Sequence, residues 1–360
     1  MSRAGPLATW VRLCAAPVAL ALPVASAWFA CDAPAGPGEW ALVESLHRGS
    51  AGPAVLLCSG GPLPEALPAA DSEAATALLG SLRSLQLAWW AALSAFTWLV
   101  ARRALGNPFP MFACALLALL GPVAAGGGIL RPEVPAAAFG MLGVLLLQLL
   151  PTLRPPRVRR FSRTNTLALV ATSACAFGTA LALAPANATW LLVPGLMMLL
   201  VLASLVMQLR RVLARHGFST VPVRAAAFRM LPWVLLVLGS MAFAVLMLGS
   251  AVTRVQPLTP MACSLLPDEV TAAVLVGMLA VVGSILLLLG VGTSLGRPGH
   301  MGPILPLFAC CAVELLHALL VPRGVDVTSA AAPLALVAAQ GASLPLLAFV
   351  ALRARRGNPR

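Results

Sequence analysis

Glu314 and His317 are the two residues of this sequence whose types and spacing best fit a chemical role. They stand three positions apart in an apolar stretch, so on a helix they would share one face. An ionisable group inside a bilayer is costly and marks either a conduction pathway or a paired group. The pair could act as a proton or cation relay, or it could hold its helix against neighbouring helices, and we favour the second. Since no third ligand stands nearby, we expect no metal site and no cofactor.

The cysteines favour a disulfide over a metal centre. The chain has eight, and none of them forms a CxxC pair with zinc spacing. Only Cys31, Cys58 and Cys263 fall in or beside polar loops, and the topology derived below places all three on the lumenal side, where disulfides persist. We expect Cys58 to be oxidised and paired with Cys31 or Cys263. The alternative is three free thiols.

Two other kinds of motif carry less weight. Asn187 begins an Asn-Ala-Thr sequon in a short lumenal loop, but an acceptor so close to the membrane is out of reach of the glycosylation machinery, and we expect it to stay unmodified. The loops hold no Ser-His-Asp set and no HExxH motif. We therefore expect the protein not to be an enzyme.

The composition indicates that the outer surface of the protein is in contact with lipid and not with water. Of the 360 residues, 60% are hydrophobic and 10% are charged, whereas a soluble domain has about 25% charged residues. The net charge of +13 could suggest nucleic acid binding. That function requires a basic face with aromatic platforms, and here the arginines stand in short clusters between apolar runs. We therefore expect no nucleic acid partner.

Ten apolar segments approach the roughly 20 residues that a helical span requires. Each is apolar on all sides, as a lipid-embedded helix should be, and the ten-residue alternation of transmembrane strands is missing from the sequence. The sequence therefore predicts an all-α polytopic bundle of about ten transmembrane helices. The segments are 13–31, 84–101, 109–130, 134–153, 166–184, 190–209, 230–252, 270–295, 304–321 and 329–352.

The placement of the charged residues predicts which loops of the bundle face the cytoplasm. With the amino terminus in the cytoplasm, 19 of the 24 arginines fall on the cytoplasmic side, and ten of the eleven acids fall on the lumenal side. The eleventh acid is Glu314. Because short loops rich in arginine stay cytoplasmic, both termini are predicted to face the cytoplasm.

Four regions follow from these spans. Residues 1–31 form a first span or signal anchor, although Ala25-Ser26-Ala27 also has the character of a signal-peptide cleavage site, and cleavage would leave nine spans. We favour a retained anchor. Residues 32–83 form a lumenal loop rich in Pro and Gly, residues 84–352 form a nine-helix transmembrane domain, and residues 353–360 form a basic cytoplasmic tail.

A few polar residues border or interrupt the spans. Asp71 or Ser72 could cap a helix that runs into the second span, and Arg83 on that helix would extend its charged head towards water. Gln148, Gln208 and Gln340 lie inside other spans, where we expect them to link helices rather than to bind a substrate.

The ninth span and the residues after it resemble a known viral family. The stretch 312–322, AVELLHALLVP, is followed by Asp326 and by an apolar run from 330 through Gln340 to 353. This pattern is similar to that of the multi-span envelope proteins of alphaherpesviruses encoded by unique-long gene forty-three. The match at the level of motifs covers about the last fifty residues. The scarcity of residues with AT-rich codons, including the lack of Tyr and Lys, suits the GC-rich genomes of that group.

The resemblance implies a function without catalysis. Members of the family are associated with the virion envelope and host membranes, so the expected partners are the lipid bilayer and other viral envelope proteins. The family has also been likened to equilibrative nucleoside carriers, which implies a solute transporter as the alternative. A bacterial membrane protein from a GC-rich actinobacterium is a further alternative. Some family members carry a long Pro-rich loop in mid-chain, where this sequence has only the short basic segment 154–165.

Overall fold

The computed structural model describes most of the chain up to position 248 and shorter parts after it. The regular structure of the described residues is helical. The described residues are 6–31, 39–40, 43–44, 47, 57, 59–60, 63–64, 66–69, 72–105, 109–125, 133–150, 163–183, 189–216, 220–248, 275–283, 285, 309 and 327–342.

Eight long helices lie within these ranges. A further helical segment, 275–283, lies in the predicted span 270–295. The long helices are α1 (Pro6–Cys31), α2 (Glu73–Ala104), α3 (Phe109–Ala125), α4 (Glu133–Leu147), α5 (Arg163–Leu183), α6 (Thr189–His216), α7 (Thr220–Leu248) and α8 (Val327–Ala342).

Four helical stretches are long and apolar enough to cross a membrane, among the residues the structure describes. They are Glu73–Ala104, Asn165–Leu183, Trp190–Met207 and Met230–Met247. The described chain also holds shorter apolar helices at Ala16–Trp28, Phe109–Leu120, Glu133–Leu147 and Ala331–Ala342. The protein is thus an all-helical chain with four candidate membrane spans in its described part. The predicted span 304–321 lies outside the described residues apart from position 309.

The second helix is longer than predicted and begins at a polar cap. Ser72 is the amino-terminal cap of α2, and its hydroxyl accepts a hydrogen bond from the amide of Ala75 at 3.1 Å. This confirms one of the two predicted caps, since a cap hydroxyl satisfies an amide that has no partner within the helix. The 32 residues of α2 extend for about 48 Å, well beyond a hydrocarbon core of about 30 Å.

Helix α4 lies at the centre of the described bundle. It packs against α2, α5 and α8, while α5 also packs against α7, and α1 and α8 pack against α3. Ten of its fifteen residues are buried, including Met141, Val144 and Leu147. Large apolar side chains of α6 and α7, such as Leu238 and Val245, are instead exposed. An apolar exterior around an apolar interior is the arrangement expected of helices that are solvated by lipid.

Candidate functional site

The residues that the sequence singled out fall mostly beyond the part of the chain that the structure describes. Glu314, His317, Cys58, Cys263 and Asn187 all lie outside the described residues. Cys31 is the last residue of α1, and only its backbone is described. Their predicted roles therefore stay predictions, and the candidate site has to be sought among other polar groups.

Buried glutamines are the most polar side chains in the interior of the bundle. Gln148 follows the end of α4 and Gln340 lies on α8, and both are buried, as expected of residues that link helices. Gln86 on α2 is buried as well, and it was not among the predicted residues because it lies at the edge of the predicted span 84–101. The side chain of Gln208 lies outside the described residues.

Most of the buried hydroxyl groups are satisfied by their own helix. Ser94 donates to the carbonyl of Trp90 at 2.9 Å, and Ser240 donates to the carbonyl of Leu236 at 2.7 Å. Thr97 makes the same kind of bond, to Leu93. A hydroxyl bonded in this way has used its one donor within its own helix. These residues fit a packing role.

Two serines make hydrogen bonds from one helix to another. Ser26 on α1 donates to the carbonyl of Ala118 on α3 at 2.7 Å, and Ser173 on α5 donates to the carbonyl of Gly143 on α4 at 3.3 Å. Interhelical bonds of this kind are a recurrent means of association between helices in a membrane.

Glycines allow backbones and rings to approach closely at several helix contacts. A Cβ on Gly143 would lie 2.7 Å from the ring of Phe177, and a Cβ on Gly178 would lie 2.6 Å from the carbonyl oxygen of Ser240. A Cβ on Gly140 would likewise overlap the indole ring of Trp190. Small residues at helix contacts are typical of membrane bundles, because lipid gives helices no hydrophobic reason to associate.

The closest approach of two backbones joins segment 275–283 to α8. A Cβ on Gly283 would overlap the carbonyl of Val337, and one on Gly341 would overlap the carbonyl of Leu279. The two glycines face each other, since a Cβ on either would lie 3.1 Å from the amide nitrogen of the other. Both positions therefore have to be glycine for the two helices to cross at this distance.

A polar contact joins the predicted loop 32–83 to the first turns of α2. Arg83, whose charged head was expected to extend towards water, forms an ion pair with Glu39 of this loop at 2.6 Å. Val43 is fully buried between Leu79 and Leu82 in a small apolar cluster beside the ion pair. The start of α2 therefore serves as a support for the loop.

Two indole groups remain without hydrogen bonds in the described structure. The ring nitrogens of Trp190 and Trp233 are buried and have no partner among the described residues. Both rings belong to the large apolar core cluster, where Trp190 lies against Gly140 of α4. Their burial is a packing property of the core and does not by itself define a ligand site.

No group of three His, Cys, Asp or Glu side chains that could hold a metal ion occurs in the described part of the chain. Cys114 is buried and Cys175 is half-buried, and both are free thiols. What the described polar groups can do is hold helices and a loop together.

Comparison with protein-family models, curated proteins and solved structures finds no match to this chain.

Proposed function

We propose that this chain is a polytopic membrane protein of about ten helical spans with both termini in the cytoplasm. The separation of 19 arginines from ten acids across the predicted spans carries the proposal. The four long apolar helices and the four shorter ones of the described residues support it, because each coincides with a predicted span. Short loops rich in arginine fix the direction.

Contacts between helices support the alternating directions that this count requires. The topology places Trp89 and Phe139 near the lumenal ends of the predicted spans 84–101 and 134–153, and their rings lie 5.3 Å apart. It places Ser173 and Gly143 near the middle of the predicted spans 166–184 and 134–153, and these residues share a hydrogen bond. Each contact joins residues at the same predicted depth, as it should if the helices alternate in direction.

The first segment is retained as an anchor in this proposal. Residues 25–27, where a signal peptidase would act, lie within the continuous helix α1. Ser26 is hydrogen-bonded to α3, and Ala27 is completely buried in the main core. Cleavage after Ala27 would remove both contacts from the bundle, so retention is the arrangement that these contacts favour.

The proposed activity is non-catalytic. Following the resemblance of the last fifty residues, the chain acts in the virion envelope and host membranes of an alphaherpesvirus through contacts with other membrane proteins or lipids. The described interior supports this because its hydroxyl groups bond to helix carbonyls and its glycines join helices. Such groups hold the helices of the bundle together. The outer faces of the bundle would then make the proposed contacts with other membrane proteins or lipids.

Topology and partners can be tested on the full chain. A tag after Arg360 should be digested by a protease added to the cytoplasmic side of sealed membranes, while a tag in the lumenal loop 32–83 should be protected. A protected carboxyl-terminal tag would overturn the topology. Cross-linking in purified virions should then capture the tagged chain with envelope proteins. Its exclusion from virions would contradict the proposed location.

A solute transporter of the equilibrative nucleoside carrier type is the second candidate. The observation in its favour is that Gln86, Gln148 and Gln340 place amide groups in an otherwise apolar interior. Uptake of a panel of solutes that includes nucleosides, into vesicles holding the purified chain, separates the two proposals. Saturable uptake that empty vesicles lack would favour the transporter.

A further inference from the structure

The long helices fall into two groups that meet at α4. Helices α1, α2, α3 and α8 pack against one another and form the first group, and helices α5, α6 and α7 form the second. Within the described part of the chain, the extensive contacts between the groups run through α4, which packs against α2 and α8 of the first group and against α5 of the second. Two packed units that are joined by one element can shift against each other as rigid bodies.

Leu57 is a further connection between the two groups, at the end of the bundle that carries the predicted loop 32–83. Its half-buried side chain packs in a small apolar cluster at the ends of three helices. The other members of the cluster are Ala136 and Phe139 of α4, Ala182 and Leu183 of α5, and Met247 of α7. One leucine side chain of the loop therefore lies where α4 begins and where α5 and α7 end.

The backbone around Leu57 is attached to α2. The carbonyl of Leu57 accepts a hydrogen bond from the indole nitrogen of Trp89 at 3.2 Å. Three residues later, Gly60 has a φ of +72°, in the left-handed region that favours glycine, and a Cβ on it would lie 3.2 Å from the side chain of Leu85. The backbone of this segment is thus held by the first group, while the side chain of Leu57 packs against the second.

We propose that Leu57 is a latch that keeps the two helix groups together at this end of the bundle. Release of its side chain would let the ends of α5 and α7 move away from α2, while α4 keeps the groups joined. A half-buried side chain and a hydrogen bond form a contact of low stability, and the moving elements of a protein are drawn from such regions. The latch depends on the contacts of Leu57 and not on which side of the membrane this end faces.

Hydrogen exchange of the full chain in detergent, read by mass spectrometry, tests the latch. Leu57→Ala should raise the exchange rate of amides in the last turns of α5 and α7 about tenfold, which corresponds to about 1.4 kcal/mol. Leu67→Ala is the matched control in the same loop, because Leu67 packs against the cluster of Val43 at the start of α2. It should leave exchange at the ends of α5 and α7 unchanged. Equal effects of the two variants there would overturn the proposal.

A second variant separates release of the latch from a general loss of stability. Trp89→Phe removes the donor to the carbonyl of Leu57 but keeps an aromatic ring beside Phe139, and it should raise exchange at the same helix ends about fivefold, as expected for one hydrogen bond. In both variants, exchange around Ser173, whose hydroxyl joins α5 to α4, should stay at the wild-type rate. An equal rise around Ser173 would show general loosening and would overturn the latch, as would unchanged exchange at the ends of α5 and α7.

Discussion

Arg83 and Glu39 meet at 2.6 Å although 43 residues separate them in the chain. The Glu39 side chain is 1% exposed and that of Arg83 is 15% exposed, so the pair is largely shielded from water. Nearby, the indole of Trp89 donates to the carbonyl of Leu57 at 3.2 Å. Two contacts thus hold a Pro- and Gly-rich loop onto α2, where such a loop would otherwise gain little from its own small core.

Breaking the ion pair should loosen the loop. Arg83→Met keeps most of the apolar stem but leaves the Glu39 carboxylate buried without its partner, which should cost about 3 kcal/mol of stability. Glu39→Gln should be destabilising for the converse reason. The double variant should lose less stability than the sum of the losses in the two single variants. Thermal unfolding in detergent measures all three losses. Additive losses would show that the two side chains are not coupled.

The crossing of segment 275–283 with α8 should tolerate no side chain. Gly283→Ala should destabilise the protein by about 1–3 kcal/mol because the added methyl overlaps the carbonyl of Val337. Gly277→Ala is the matched control on the same segment, since nothing lies within 4 Å of its Cβ position. It should be neutral or stabilising, as is usual for alanine in a helix. Equal melting temperatures for the two variants would contradict the close crossing.

The cysteines that are predicted to be lumenal should differ in oxidation state from the thiols of the bundle. We expect maleimide to label Cys58 in intact membranes only after reduction, because it is paired with Cys31 or Cys263. Cys114 and Cys175 are free, so their labelling in denaturant should not depend on reductant. Single Cys31→Ser and Cys263→Ser variants should identify the partner, since only one of them should expose Cys58. Labelling of Cys58 without reductant would refute the disulfide.

Glu314 should have a structural role rather than a transport role. Glu314→Ala removes a carboxyl whose nearest expected partner is His317, and should lower stability in detergent by about 1–3 kcal/mol. Glu314→Gln keeps a hydrogen-bonding group and should melt close to the wild type. A proton relay predicts the same normal melting of Glu314→Gln but the loss of a pH-dependent flux, because Gln does not titrate. That loss of flux would contradict the structural role.

Local signals in the sequence predicted the helices well. A run of apolar residues is a property of the segment itself, and each of the eight helices coincides with a predicted span. The cap at Ser72 was among the two expected because an N-cap needs only its own hydroxyl and an amide three residues later. Helix α1 continues through Pro17 and Pro23.

The sequence did not predict which residues far apart in the chain make contact. The partner of Arg83 is set by how the loop folds back, and no local pattern points to Glu39. Gly283 and Gly341 stand 58 residues apart, so their encounter depends on which helices become neighbours. The helix boundaries in the structure also differ from the predicted ones. Helix α2 begins eleven residues before its predicted span, because a hydropathy pattern marks the lipid-facing part of a helix and not the part beyond it.

The shortness of α4 has a consequence for membrane thickness. Fifteen helical residues rise about 22 Å, less than the hydrocarbon core, and a tight turn from Leu147 to Leu150 extends this only slightly. Neighbouring helices surround α4, so the mismatch is met by protein and does not force the lipid to deform. The longer helices α6 and α7 expose their apolar sides and set the thickness that lipid meets. Long apolar helices match a bilayer by tilting, so a change in membrane thickness would be met by α6 and α7 and not by the enclosed α4.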